Sequence, residues 1–182
     1  LIAGREGIGE LLSQGIVQAA KRWGMEDVAV HVKGMEPAGY DPRALKGMGL
    51  AYATSDRGAC HLRATFYKPE LAGMIDPKQI EGKAEMFIDF EDRLTLFDAM
   101  ILCKFYRDLY PWELLGEMIS AATGVDGSKE NLAAIAGNIA LKAREFNLRE
   151  GMTTADETLP KAFHKPLEDS GGVITELEIG QL

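Results

Sequence analysis

An irregular multihelical, all-α fold with at most one or two short strands is predicted by three features of the 182-residue sequence. Apolar residues recur at helical spacing in five or six separate segments. Aspartate, proline and serine stand where those segments begin, and glycine stands where several end. Only two short stretches alternate as a half-buried strand would.

In order along the chain, Ile8, Leu11, Leu12, Ile16, Val17 and Ala20 predict one amphipathic helix from Gly7 to Trp23, closed by Gly24. Val28 to Val32 is β-branched and alternating, which suits an isolated extended segment. Residues 33–42, with two prolines and two glycines, read as an ordered loop and as a candidate sub-boundary. Asp41 before Pro42 is a helix-start signal, because the carboxylate accepts from free amides and proline needs no donor at the first position. A helix from Arg43 to about Ser55 follows. Asp76-Pro77 repeats the signal, and Ile80, Ala84, Phe87, Ile88, Leu94, Phe97 and Ile101 continue the period toward Cys103, with a break expected near Phe90. Pro111 opens a helix over Trp112–Ala122 that Gly124 stops, and Ser128 caps another reaching roughly Phe146. Residues 151–182 are rich in proline, glycine and charge and read as an irregular wrap or tail, with Val173–Ile179 a candidate strand.

Composition narrows the function classes. Hydrophobic residues at 46% and charged residues at 26% are those of a globular protein with a core. A net charge of -8 opposes nucleic-acid binding, which needs a basic surface. No apolar run approaches the roughly 20 residues of a membrane span. The sequence opens at Leu1 straight into a helical pattern with no leader, which predicts a segment of a longer, cytoplasmic protein. Two cysteines, Cys60 and Cys103, are too few to build a zinc site or an iron–sulfur cluster alone.

Chemistry-bearing residues concentrate in Ser55-Asp-Arg-Gly-Ala-Cys-His-Leu-Arg63. Arg57 and Arg63 are suited to gripping an anion, Gly58 to close backbone approach, and His61 to moving a proton near neutral pH. By residue chemistry alone the same segment also reads as a solvated loop whose arginines pair with surface acids. Asp98 and Cys103, five apart, share no face of a straight helix, so both reach one ligand only where the helix unwinds. His31 reads as structural and His164 as unpartnered, while Glu85, Asp89, Glu91 and Asp92 read as a solvated acidic face. Gly7-Ile-Gly9 follows no strand and is no dinucleotide fingerprint.

Taken in order, Gly7-Ile-Gly-Glu-Leu-Leu12, Lys33-Gly-Met-Glu-Pro37, Asp41-Pro-Arg43, Gly47-Met-Gly-Leu-Ala-Tyr-Ala-Thr54, Arg57-Gly-Ala-Cys-His61, Leu102-Cys-Lys-Phe105, Ala122-Thr-Gly124, Phe146-Asn-Leu-Arg-Glu-Gly151 and Asp156-Glu-Thr-Leu-Pro160 resemble the aldehyde:ferredoxin oxidoreductase family. The resemblance implies that residues 1–182 form the carboxy-terminal helical region of a larger enzyme. Such an enzyme holds tungsten or molybdenum between two pterin dithiolenes beside a [4Fe–4S] cluster. It oxidises an aldehyde to a carboxylic acid and passes electrons to ferredoxin. Cys103 matches the cluster's fourth cysteine, the other three lying upstream. Asp98, Leu102 and Cys103 match a pterin-contacting pattern Asp-x-x-Gly-Leu-(Cys or Asp), in which Ile101 replaces the glycine. His61 matches a histidine near the metal that relays protons or binds substrate, and Cys60 stays structural.

The resemblance also implies partners: the upstream domains, ferredoxin and a small aldehyde. The sequence is compatible with a homo-oligomer. Isolated, the chain is expected to hold neither metallopterin nor cluster and to be inactive, with Cys103 and Asp98 on one exposed concave face near His61. The competing reading is a helical interaction or scaffold module that kept the fold and lost the chemistry. A scaffold would need none of Asp98, His61 and Cys103, so their presence favours the enzyme.

Overall fold

The computed structural model describes residues 1–182 as eight α-helices: α1 (Ile8–Leu12), α2 (Ile16–Trp23), α3 (Lys46–Thr54), α4 (Tyr67–Leu71), α5 (Lys83–Ala99), α6 (Trp112–Thr123), α7 (Lys129–Arg149) and α8 (Glu176–Gln181). Short 3-10 turns lie at Glu26–Val28, Lys104–Leu109, Thr154–Asp156 and Lys161–His164. The sole β feature is one antiparallel bridge between Val32 and Met35, so the segment 28–32 forms no strand. The all-α class holds.

Helix α3 is the axis of the molecule. Every residue from Lys46 to Ala53 is buried, as a helix surrounded on all sides must be. Its glycines let neighbours approach closely. A Cβ on Gly47 would lie 2.2 Å from the Phe66 ring, and one on Gly49 would lie 2.4 Å from the Ile174 side chain. Around it pack Met48, Tyr52, Phe66 and Phe87, with Leu159, Phe163 and Ile174 from the carboxy-terminal segment. That segment is therefore a wrap held by apolar burial. A second core joins Leu94 and Phe97 of α5 to Leu115 and Ile119 of α6 and Leu132 and Ala136 of α7. Helix α5 serves both cores, Phe87 in one and Leu94 to Phe97 in the other.

Several boundaries differ from the sequence expectation, each for a local reason. The helix expected over 7–23 is two helices, because Gly15 takes φ 85°, ψ 174°, a conformation that only a residue without a Cβ adopts freely. Gly24 ends α2 in the left-handed conformation, as expected. Asp41 does cap: its Oδ1 accepts from the Arg43 amide at 2.9 Å. The cap closes a turn, however, and α3 starts only at Lys46. The Asp76 carboxylate likewise closes a turn on Lys78, and Gly82 intervenes before α5, which then runs unbroken through Phe90. Helices α6 and α7 fall where expected, although the Ser128 hydroxyl turns back to Asp126 rather than capping α7. Val173–Ile179 is no strand. Thr175 and Glu178 form a reciprocal capping box that starts α8, and this threonine-x-x-glutamate signal outweighs the alternation.

The end of α5 sets the positions of Asp98 and Cys103. The amide of Ile101 donates to Asp98 O at 3.1 Å and that of Leu102 to Phe97 O at 2.8 Å, the pairing of a Schellman stop. Ile101 occupies its left-handed position with φ 58°, where glycine is the usual residue. A β-branched residue there costs about 1–2 kcal/mol, and Ile101, 92% exposed, recovers little by packing. Ile101→Gly is expected to raise the urea midpoint, a gain of about 1 kcal/mol. An unchanged or lowered midpoint would show that the exposed side chain contributes more than the backbone strain removes.

Candidate functional site

The helix stop at Met100 turns the chain back so that Asp98 and Cys103 both reach the surface, as unwinding was expected to allow. Cys103 is exposed, carries a free thiol and precedes the Lys104–Leu109 turn. Leu102 is half-buried against the second core and anchors Cys103 from behind. Asp98 Oδ2 accepts from Arg63 Nη1 at 2.6 Å and from Lys104 Nζ at 2.8 Å. Lys104 Nζ also donates to Leu62 O at 2.9 Å. One carboxylate and one ammonium thus fasten the turn carrying Cys103 to the loop carrying His61. Burial pulls the Lys104 ammonium down from its ordinary value, opposed by Asp98.

The loop 55–66 is fixed on its other side. Gly58 has φ 104°, and a Cβ there would lie 2.3 Å from Val32 O. No other residue type fits without moving the backbone. Asn147 of α7 donates to Asp56 O at 2.6 Å, while Arg63 grips both oxygens of Asp56 at 2.8 and 2.9 Å. Cys60 is buried, and its sulfur accepts from Arg57 Nε at 3.1 Å and Nη2 at 2.9 Å.

His61 is half-buried beside two tyrosines that no sequence pattern singles out. Tyr40 and Tyr67 stack with ring centroids 4.0 Å apart, and their centroids lie 5.8 and 6.4 Å from that of the imidazole. Burial, then the Arg57 charge, pulls the His61 imidazole below its ordinary value, so it is neutral at pH 7 and ready to accept a proton. The other two histidines are structural: His31 Nδ1 accepts from the Gly34 amide, and His164 Nδ1–H donates to Ile174 O at 2.8 Å. His164 therefore has the partner that its sequence neighbours did not supply.

A cleft of about 380 Å³ opens between α5, α7 and the loop after α3, with Asp56, Arg63, Asp98 and Glu91 among its walls. Glu91 is withdrawn from solvent and not part of a solvated acidic face. Burial first, then Asp92 and Asp56, push its carboxyl from 4.5 up to about 7. A carboxyl whose folded value is raised leaves stability intact below its unfolded value and erodes it as pH rises toward the folded one. Glu91→Gln is therefore expected to match the parent near pH 4 and to exceed it by about 2–3 kcal/mol at pH 8, read from urea midpoints. A constant difference across that range would place Glu91 in water.

Residues 1–178 match the sequence family described as "Aldehyde ferredoxin oxidoreductase, domains 2 & 3". That match spans nearly the whole chain. The chain belongs to the aldehyde ferredoxin oxidoreductase family. Its relatives include the tungsten-containing aldehyde ferredoxin oxidoreductases of Pyrococcus furiosus, 36% identical over 167 residues, and Thermococcus kodakarensis, 38% identical over 167 residues. Each alignment covers 89% of this chain and 28% of the relative. The namesake from Pyrococcus abyssi is 38% identical over 165 residues, or 27% of its length. The chain thus corresponds to the helical domains of an oxidoreductase family and spans little more than a quarter of those relatives. No helix is long and apolar enough to cross a membrane.

The donor set can be tested against the cofactors of such enzymes. No three His, Cys, Asp or Glu side chains converge in a way that would hold a metal. A [4Fe–4S] cluster takes four thiolates. Cys60 is enclosed and hydrogen-bonded by Arg57, whereas Cys103 is exposed with a free thiol. One exposed thiol has the chemistry of a single cluster ligand.

Proposed function

We propose that the chain is the helical part of an enzyme that oxidises small aldehydes to carboxylic acids and delivers the electrons to ferredoxin. The reading is supported by the fastening of the turn that carries Cys103 to the loop that carries His61: Asp98 accepts from Arg63 and Lys104, and Lys104 also donates to Leu62 O. A scaffold would have no need to expose a free thiol there. Tungsten or molybdenum held by two pterins, with a [4Fe–4S] cluster, would supply the two-electron chemistry.

The chain's own residues do the rest. Cys103 would hold the cluster through one thiolate, and Leu102 fixes its backbone from the core side. Asp98, held by two cations, would hold the pterin through its exposed edge. His61, neutral at pH 7, takes a proton from the substrate side, with the stacked Tyr40 and Tyr67 beside it.

The test is Cys103→Ala in the full-length protein, which should lower cluster iron and its visible absorbance without unfolding the helices. The 182-residue chain by itself should be colourless and inactive with aldehyde and viologen dye, and its Cys103 should label with a thiol reagent before denaturation. Full iron content in the Cys103→Ala enzyme, or an unreactive Cys103, would restore the scaffold reading.

A further inference from the structure

The geometry points to Arg57 as the carboxylate-binding residue of this site, held beside His61 by Cys60. This rests on the reading of the site as one that yields a carboxylic acid, and it adds the group that recognises that acid.

The two arginines of the loop have opposite fates. Arg63 is saturated, with Asp56 on two of its nitrogens and Asp98 on the third. Arg57 is exposed and forms no ion pair, although it follows Asp56 directly and the chain carries 28 acidic residues against 20 Lys and Arg. Asp56 is turned to Arg63, which holds both of its oxygens, and makes no bond to Arg57. The only hydrogen bonds Arg57 makes run from Nε and Nη2 to the Cys60 sulfur. Those bonds fix the plane of the guanidinium and leave Nη1 and the second hydrogen of Nη2 unengaged.

Cys60 is itself a rigid anchor. It is 3% exposed, and its sulfur also accepts from the Leu62 amide at 3.3 Å. The backbone beneath is locked by Gly58 against Val32. A sulfur is a weaker acceptor than a carboxylate oxygen, so it orients the guanidinium without cancelling its charge. The result is a pre-oriented, uncompensated cation within electrostatic reach of His61. Planar, two-pronged hydrogen bonding is what a carboxylate accepts best from arginine.

The charges and rings around His61 that bear on the test are few. Arg57 acts on it directly. Tyr40 and Tyr67 flank it, with Arg107 Nη2 3.4 Å from the Tyr67 hydroxyl, and Lys104 lies on the Leu62 carbonyl, already engaged with Asp98. A carboxylate on Arg57 would therefore offset the main positive field at His61, and the imidazole would titrate at higher pH when it binds.

The experiment is an NMR titration of the 182-residue chain with sodium benzoate and sodium acetate, following the ring signals of His31, His61 and His164 against sodium chloride at equal ionic strength. The expected result is a saturable shift confined to His61, with its titration midpoint moved upward. Arg57→Gln should weaken binding at least tenfold. Arg57→Lys, which keeps the charge and loses the fork, should weaken it less. Cys60→Ala should weaken it severalfold, and Cys60→Ser should recover part of the loss. Parallel shifts of all three histidines, or equal binding by Arg57→Gln and the parent, would overturn the assignment. Because nothing in this measurement depends on turnover, absence of aldehyde oxidation in the full-length enzyme would count against the reaction and not against Arg57.

Discussion

Turnover with aldehyde is expected to fall by about 10²–10⁴-fold, and by tenfold at the least, when His61 is replaced by asparagine in the full-length enzyme, the range of a positioned acid–base group. Asparagine keeps a polar side chain of similar reach but cannot exchange a proton near neutral pH. The folded environment gives a further signature. Burial and the Arg57 charge hold the imidazole below its ordinary value of roughly 6.5. The acid limb of kcat/KM in the parent should therefore lie below that value, since activity needs the neutral ring and fails only when pH drops far enough to protonate it. His61→Asn should remove that limb. The measurement is the pH profile at fixed metal and iron content. A profile and rate unchanged from the parent would return His61 to a structural role against Tyr40 and Tyr67.

The second large effect is on stability. Lys83 and Glu70 face each other with side chains fully enclosed, Nζ to Oε1 at 2.5 Å. Lys83 also donates to Asp76 O at 3.1 Å, and Glu70 Oε1 accepts from the Gly47 amide at 2.7 Å, at the start of the central helix α3. The pair therefore ties α3, α4 and α5 at one point, and a partner removed singly leaves a charge in a low-dielectric interior. Lys83→Met is expected to cost about 3–5 kcal/mol. The double variant Lys83→Met with Glu70→Gln should regain part of that, because no bare carboxylate remains. Full recovery is not expected, since the Asp76 carbonyl still lacks the donor that Lys83 supplied. Urea denaturation of the single and double variants measures the coupling, and a loss under 1 kcal/mol for Lys83→Met would mean that water reaches the carboxylate.

Neither of these residues announces its role in the same way. His61 lies in a segment whose density of arginine, glycine, cysteine and histidine marked it for chemistry. Lys83 and Glu70 sit in ordinary helical sequence, thirteen residues apart, and nothing local distinguishes them from solvated charges. Glu91 misled for the same reason. Its neighbours Asp89 and Asp92 made it look like part of a wet acidic face, and only the packing of α7 over α5 withdrew it from water.

What the sequence determined by itself was the helical class, the positions of α6 and α7, the stops at Gly24 and Gly124, and the loop over 33–42. These depend on apolar period, proline and glycine, which act through the backbone within about one helical turn. It also contained, unread, the Thr175–Glu178 capping box that makes α8 a helix. Tertiary structure alone decided which charge met which. Arg63 found Asp98 across 35 residues, Lys104 found Leu62 across 42, and Asn147 found Asp56 across 91. It alone left Arg57 with a sulfur in place of a carboxylate, and it alone gathered Tyr40 and Tyr67 around His61. The physical reason is range: backbone preferences are local, whereas the partner of a charge or a ring is set by which surfaces the burial of α3 brings together.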